Sequence, residues 1–223
     1  MPMGARYPSP IPDTCRLYLI RHGATANNDA RPPRLQGRRT DPGLSDEGLD
    51  QAERTARFLS RHLLDAVYSS PLLRARQTAE AIAQPHRLAV EVVPGLIEVD
   101  VGVWEGRPWD EIERIDPEAY HRFMTDAAVH PYLGGENLTT ARDRSLPALA
   151  RLMSENPGRT IVAVAHNVVN RACLAHWLGM PLGRYRSIPQ DNCGVNVARH
   201  RAGEVKLVTI NAVEHLREAP SPK

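Results

Sequence analysis

Two histidines and two arginines in this chain stand just past stretches that read as buried strands. Arg21-His22 follows Arg16-Leu17-Tyr18-Leu19-Ile20, Ser69-Ser70 and then Arg74 follow Ala66-Val67-Tyr68, and His166-Asn167 follows Thr160 to Ala165. Taken singly, a histidine after a strand is ordinarily a hydrogen-bonded structural residue, and a helical arginine a solvated one. Taken together, two imidazoles and two guanidiniums at one sheet end make a cationic, imidazole-lined pocket suited to a phosphate ester. Guanidinium forks match phosphate oxygens. Phosphoryl transfer spreads charge over three equatorial oxygens, which fixed cations stabilise. A neutral imidazole, with an ordinary pKa of about 6.5, is a competent nucleophile near neutral pH. A carboxylic acid is then needed to protonate the departing alkoxide and afterwards to deprotonate water.

Two histidines also raise the question of a metal. Metal sites favour close ligand spacing such as H-x-x-x-H, or flanking Cys and Asp ligands. Cys173 falls on a separate helical turn from His166, and His22 is followed by Gly-Ala-Thr. The arginines repel a cation, so a metal is not expected.

The elements that would position these groups follow from periodicity and punctuation. Arg31 to Gly43 holds prolines and polar residues and reads as loop. Ser45 caps a helix whose apolar positions Leu49, Ala52, Ala56, Leu59 and Leu63 recur at steps of three and four, with Asp46 and Glu47 suiting its positive end. Pro71 suits the first turn of a helix ahead of Leu72 to Ala83. Ala89 to Val93 reads as a strand, Trp109 to Thr125 as helical pieces, and Val168 to Leu178 as a helix. Asn137 to Met153 has helical spacing that Pro147 should kink or restart. Val195 to Ala198 and Val205 to Ile210 form a closing hairpin across Ala202-Gly203. Alternating strands and helices predict an α/β fold, a three-layer α/β/α sandwich on a mostly parallel central sheet. Ligands of such sheets bind beyond the carboxyl ends of the strands.

The chain has 223 residues, 42% of them hydrophobic and 24% charged, a length and composition that suit one globular domain. Residues 1–14, with four prolines, read as a loose lead-in, residues 15–217 as one domain, and residues 218–223 as a fraying end. No apolar run is long enough to span a membrane, and the first residues lack the apolar core of a secretory signal. Three scattered cysteines make no disulfide framework, so a reduced, cytoplasmic protein is expected. Net charge is +2, and all but Lys206 and Lys223 of the 28 basic residues are arginine. Carboxylates are interleaved with them, so no basic stripe for nucleic acid appears. The expected partner is a small-molecule phosphate ester, with no nucleic acid and no membrane; a homo-oligomer is compatible with the sequence.

Leu19-Ile20-Arg21-His22-Gly23-Ala24-Thr25-Ala26-Asn27-Asn28 resembles the R-H-G-x-T-x-x-N signature of the histidine phosphatase superfamily, the phosphoglycerate-mutase-like proteins. Four further blocks are similar to that family's in order. They are Gln36-Gly37 with Leu44 to Gly48 and Gln51-Ala52, Tyr68 to Ala79, Leu96-Ile97-Glu98 with Gly102 to Gly106, and the strand Val162 to His166. Three residues alone recur by chance; five ordered blocks from residue 17 to 178 do not. The resemblance implies a phosphoglycerate-mutase-like fold with a small lid insertion at about residues 98–136. It implies His22 as the nucleophile that becomes phosphohistidine, with no metal or organic cofactor. Arg21, Arg74 and His166 would clamp the phosphoryl oxygens with help from Asn28, and Glu98 would be the general acid and then base. Where the family usually has Gly after its second histidine, this chain has Asn167, whose backbone N–H is expected to serve the phosphate and whose side chain tolerates a positive φ if one is demanded.

The same pocket serves a phosphatase when water takes the phosphoryl group and a mutase when the substrate takes it back. The mutase branch carries a longer insertion, whereas only 38 positions separate Glu98 from Glu136 here. A phosphomonoester hydrolase is therefore expected, with mutase-type transfer and a non-catalytic phospho-ligand-binding protein as alternatives. The lid, around Val101 to Tyr132, offers Trp104, Trp109, Tyr120, Phe123 and Tyr132 either to the leaving group or to packing of a small subdomain. The polar loop Ile188 to Asn192 is expected to border the pocket, which favours a sugar or polyol phosphate.

Overall fold

In the computed structural model, which describes residues 11–217, strand β4 (Thr160–Ala165) is buried along its whole length. Such a strand needs a neighbour on each side and a layer of helices on each face. Strands β1 (Cys15–Arg21) and β2 (Ala66–Ser69) flank it in parallel, and β3 (Val90–Val92) pairs in parallel beyond β2. On the other side β5 (Val195–Arg201) runs antiparallel to β1, and β6 (Glu204–Ala212) closes the order β3-β2-β4-β1-β5-β6. The β5–β6 hairpin turns through Ala202 and Gly203 at φ +50° and +83°, two left-handed residues of the kind that match strand twist. Four of six strands are parallel, as expected.

Alternation along each strand sends side chains to two separate cores. Leu17, Leu19, Ile161, Ala163 and Ala165 pack with α6 (Leu138–Ser154) and α7 (Asn167–Trp177) through Leu149, Leu152, Val169 and Cys173. Tyr18, Ile20, Val162 and Val164 pack on the opposite face with α2 (Asp46–Leu59) and α3 (Leu73–Ala83) through Leu59, Ala75, Ala79 and Ile82. The single turn α1 (Ala26–Asp29) lies between β1 and α2, and the lid helices α4 (Trp109–Ile115) and α5 (Pro117–Thr125) lie between α3 and α6 in the chain.

Several local expectations change. Leu49 is 50% exposed and Leu63 lies beyond α2; the inner face of that helix is Gly48, Ala52, Thr55, Ala56 and Leu59. A side chain at Gly48 would run into the backbone of Ala24, so the helix packs with its smallest residue against the loop after β1. Pro71 precedes the N-cap Leu72 and stays outside the first turn. Helix α6 is one element through Pro147: the missing N–H costs one bond, while Asn137 caps the start by accepting from Thr140 N at 2.8 Å and apolar contacts hold both halves. Of the lead-in, residues 11–13 are exposed and only Thr14 is buried, its N–H donating to Ile11 O at 2.8 Å. The readings at 1–10 and 218–223 lie outside the described residues.

Candidate active site

Register places the chemistry. β1 pairs with β4 so that Arg21 lies opposite Ala165, and β2 so that Ser69 lies opposite Val164. The next residues, His22, Ser70 and His166, therefore leave the sheet together, with His22 N–H donating to Ala165 O at 3.0 Å and Ser70 N–H to Val164 O at 2.9 Å. Backbone around His22 is pinned by three side chains from the helices of one face. Thr78 accepts from Gly23 N at 3.1 Å, Gln51 from Ala24 N at 2.9 Å, and Gln77 from Leu44 N at 2.8 Å.

His22 is buried, with Nδ1 2.7 Å from Gly23 O. A carbonyl only accepts, so Nδ1 carries the hydrogen and Nε2 keeps its lone pair. Arg74 Nε donates to that Nε2 from 3.3 Å. Burial first, and then the charges of Arg74 and Arg21, hold the His22 pKa well below the ordinary 6.5 against the Gly23 bond. The imidazole is neutral at neutral pH.

The His166 ring centroid lies 5.1 Å from that of His22, and its Nε2 is 2.7 Å from Ser70 Oγ. Ser70 Oγ accepts from Leu72 N at 3.4 Å and still has both a hydrogen and a lone pair to offer Nε2. The Nδ1 of His166 is buried without a hydrogen-bond partner. Burial and then Arg74, His22, Arg21 and Arg144 keep His166 neutral too, well below 6.5.

Arg74 is fully buried; its Nη2 donates to Gly37 O at 2.8 Å, while Nη1 has no hydrogen-bond partner and sits 3.7 Å from Asp41. Arg21 donates from Nη1 to Gln190 O at 2.7 Å and leaves Nε buried without a partner. Burial lowers the Arg21 pKa to about 10, so it stays charged. Two buried arginine donors, Arg21 Nε and Arg74 Nη1, and the ring nitrogen His166 Nδ1 thus stand without a hydrogen-bond partner. Unmet buried donors are costly, and a phosphoryl group carries oxygens to satisfy them.

Glu98 is buried as well, accepting from Val99 N at 2.9 Å and, at the start of α7, from Val168 N at 3.3 Å and Val169 N at 3.4 Å. Those bonds and Arg74 favour the carboxylate, yet burial outweighs them and raises the pKa above the ordinary 4.5. Asn28 lines the cleft, its Oδ1 taken up by Thr25 and Asn192. Asn167 is the first residue of α7, outside the positive-φ set, so the departure from glycine is a matter of side chain: Asn167 lines the cleft with Oδ1 buried and unpartnered.

Arg21, His22, Asn28, Glu98 and Asn167 line one cleft of about 710 Å³, and Arg74 and His166 lie beneath them, fully buried. Tyr132 and Trp109 line it also, whereas Trp104 and Phe123 are fully buried in a lid core and the Tyr120 ring lies tilted against Trp109, centroids 6.2 Å apart. The loop at 188–192 stands behind the site. Gln190 holds Arg21, and Asn192 donates to His22 O at 3.0 Å, so the polarity of this loop serves the scaffold.

Other supports carry little sequence signal. Arg144 of α6 donates to Gly95 O, Ile97 O at 2.5 Å and Glu98 O at 3.0 Å, fixing the segment that presents the carboxyl. Glu105 accepts from Gly37 N, Arg39 N and Thr40 N and shapes the loop that Arg74 grips. Both act on backbone of distant segments; membership of Glu105 in a matched block is the one pointer the sequence offers. Among the described residues no group of three or more His, Cys, Asp or Glu is placed to hold a metal ion, and no helix is long and apolar enough to cross a membrane.

Fold and site together define an α/β enzyme that handles phosphoryl groups at the carboxyl edge of its sheet. The family model of the histidine phosphatase superfamily (branch 1) matches residues 17–213. Phosphoserine phosphatase 1 of Hydrogenobacter thermophilus is 33% identical over 203 residues, 91% of this chain and 95% of that one. A glucosyl-3-phosphoglycerate phosphatase of Mycolicibacterium vanbaalenii is 33% identical over 177 residues, 76% of this chain and 77% of that one. The solved structure of a phosphoserine phosphatase from Entamoeba histolytica in complex with 3-phosphoglyceric acid superposes with a TM-score of 0.81 at 30% identity, covering 91% of this chain and all of that one. The chain belongs to the histidine phosphatase superfamily and is a phosphatase of that type.

Proposed function

We propose that this chain hydrolyses a small phosphate monoester in two steps through a phosphohistidine at His22. The observation that carries this reading is the pair of contacts on one ring, Nδ1 to Gly23 O at 2.7 Å and Arg74 Nε to Nε2 at 3.3 Å, which leaves a neutral imidazole with its lone pair inside the cleft. Nε2 attacks phosphorus in line as the bond to the ester oxygen breaks. Arg74 turns its donors from Nε2 to the phosphoryl oxygens, joined by Arg21 and His166, and the Asn28 and Asn167 amides complete the cradle. Glu98, whose burial favours the protonated form, gives its proton to the departing alkoxide. Water then attacks the phosphohistidine, Glu98 takes its proton back, and inorganic phosphate leaves with His22 neutral again.

Nothing in these steps uses a metal, so EDTA should leave the rate unchanged. The relatives' names support a small ester as substrate. Three free, buried cysteines suit a reducing cytoplasm. The test is acid-free quenching during turnover of p-nitrophenyl phosphate, followed by mass spectrometry of the peptide holding His22. Phosphate on His22, absent from His22→Ala together with turnover, supports the reading. Unchanged turnover in His22→Ala overturns it. Release of phosphate from 3-phosphoglycerate, without conversion to 2-phosphoglycerate, separates hydrolysis from mutase-type transfer.

A further inference from the structure

Glu98 is buried, so the groups fixed around it govern its proton as much as the carboxyl itself does. Titratable groups face it from several elements: Arg21 of β1, Arg74 of α3, Tyr132 of the lid, Arg171 of α7 and Tyr185 beyond that helix. Arg21, Arg171 and both tyrosines line the cleft, and Arg74 lies beneath it. A phosphate dianion entering the cleft offsets those guanidinium charges. Arg144 of α6 is a sixth neighbour, and it reaches Glu98 from behind, through the main chain rather than across the cleft.

Every nitrogen of that guanidinium is engaged. Nη1 donates to Gly95 O at 3.1 Å and Ile97 O at 2.5 Å, and Nη2 to Glu98 O at 3.0 Å. Nε and Nη2 also donate to the two oxygens of Glu136, at 3.3 and 3.2 Å, a two-pronged ion pair. Glu136 accepts in addition from Asp100 N at 2.9 Å, and its own N–H donates to Asp100 O at 2.8 Å. The chain is thus pinned from Gly95 to Asp100, with Glu98 between the pins. Only 21% of the Arg144 side chain and 13% of the Glu136 side chain are exposed, so salt screens the pair little. The fork holds a positive charge where it favours the carboxylate form of Glu98, in the same sense as Arg74. Each of these bonds goes to the protein's own atoms, so that charge stays in place whether the cleft is empty or full.

Resting on the phosphatase reading above, we infer that Arg144, held by Glu136, is a positioning residue of the general acid. It fixes the peptide that presents Glu98, and it supplies from outside the cleft a permanent charge against which the carboxyl gives up and regains its proton. Glu136 sets the strength of that charge by partly neutralising it.

The test is the basic limb of kcat and of kcat/KM against pH, measured on glycerol 3-phosphate. Arg144→Gln removes a cation, so the limb should move to higher pH by about half a unit or more. Its kcat should fall about tenfold with KM little changed, because the acid is less well aimed. Arg144→Lys keeps the charge and loses the fork; kcat should fall in the same way while the limb stays where it is in the wild type. Glu136→Gln takes away the anion beside Arg144, so the limb should move to lower pH. Shifts of opposite sign are what charge produces and what a loosened structure does not. His166 also feels Arg144, an effect that belongs to the acid limb. A limb that stays put in Arg144→Gln and Glu136→Gln, or that moves the same way in both, overturns the inference. If Arg144→Gln does not fold, the sign of the Glu136→Gln shift, read against Arg144→Lys, decides. Glu98→Gln separates the two readings. A basic limb that persists there removes Glu98 as the acid, whereas a limb lost there and unmoved by the Arg144 and Glu136 variants overturns this inference alone.

Discussion

Arg74 Nε and His22 Nε2 face each other at 3.3 Å, a donor set on the one nitrogen that must attack. The contact selects the tautomer and keeps the clamp in reach of the phosphoryl oxygens. A lysine has charge but no fork. Arg74→Lys should therefore lower kcat about 10²–10³-fold, the usual loss when one fixed donor to a transition-state oxygen goes. Steady-state kinetics on p-nitrophenyl phosphate measure it, and a loss under tenfold would separate Arg74 from the chemistry.

Glu98 matters in proportion to how badly the leaving group needs a proton. Glu98→Gln should cut hydrolysis of an alkyl phosphate about 10²–10⁴-fold. With p-nitrophenyl phosphate, whose phenolate departs unaided, the first step should fall far less. Equal losses on both esters would remove Glu98 from the role of acid.

The pH profile follows from two shifts of opposite sign. His22, held below 6.5, stays neutral as pH falls and is lost to protonation only below that value. Glu98, raised above 4.5, keeps its proton as pH climbs and loses it only when pH passes the raised value. The kcat/KM curve on an alkyl phosphate should therefore fall on its basic side through Glu98 and on its acid side through His22. Glu98→Gln should flatten the basic limb; a basic limb that persists in the variant belongs to another group.

Trp104 is fully buried among Phe123, Tyr132 and Trp109, and its Nε1 donates to Asp116 at 2.9 Å. Trp104→Ala should cost about 3–5 kcal/mol, and for a chain of this size lower Tm by about 6 °C or more. A thermal melt checks this, and a shift under 2 °C would mean that the cavity collapses at little cost.

Much of the fold was readable because Leu17 to Ile20 of β1 and Ile161 to Ala165 of β4 are apolar runs, which few other structures accommodate. His22, Arg74 and His166 were readable because they stand at or soon after strand ends, and position along the chain there becomes position in space. Glu98 had no such pointer: it sits in a loop, and only the family blocks gave it a role. Leu49 was misplaced because periodicity counts apolar residues, while α2 lies so near the Ala24 backbone that Gly48 is the residue that fits. Arg144, Gln190 and Asn192 hold carbonyls or side chains of distant segments and leave no period at all.

The lid keeps its own apolar cluster, Trp104, Ile112, Phe123 and Leu138, apart from both faces of the sheet. The wall that meets the alcohol and the base that grips phosphorus thus rest on different foundations. Mutation can recast the first while the second stands, so descendants of one ancestral hydrolase can exchange one alcohol for another without relearning how to break the bond.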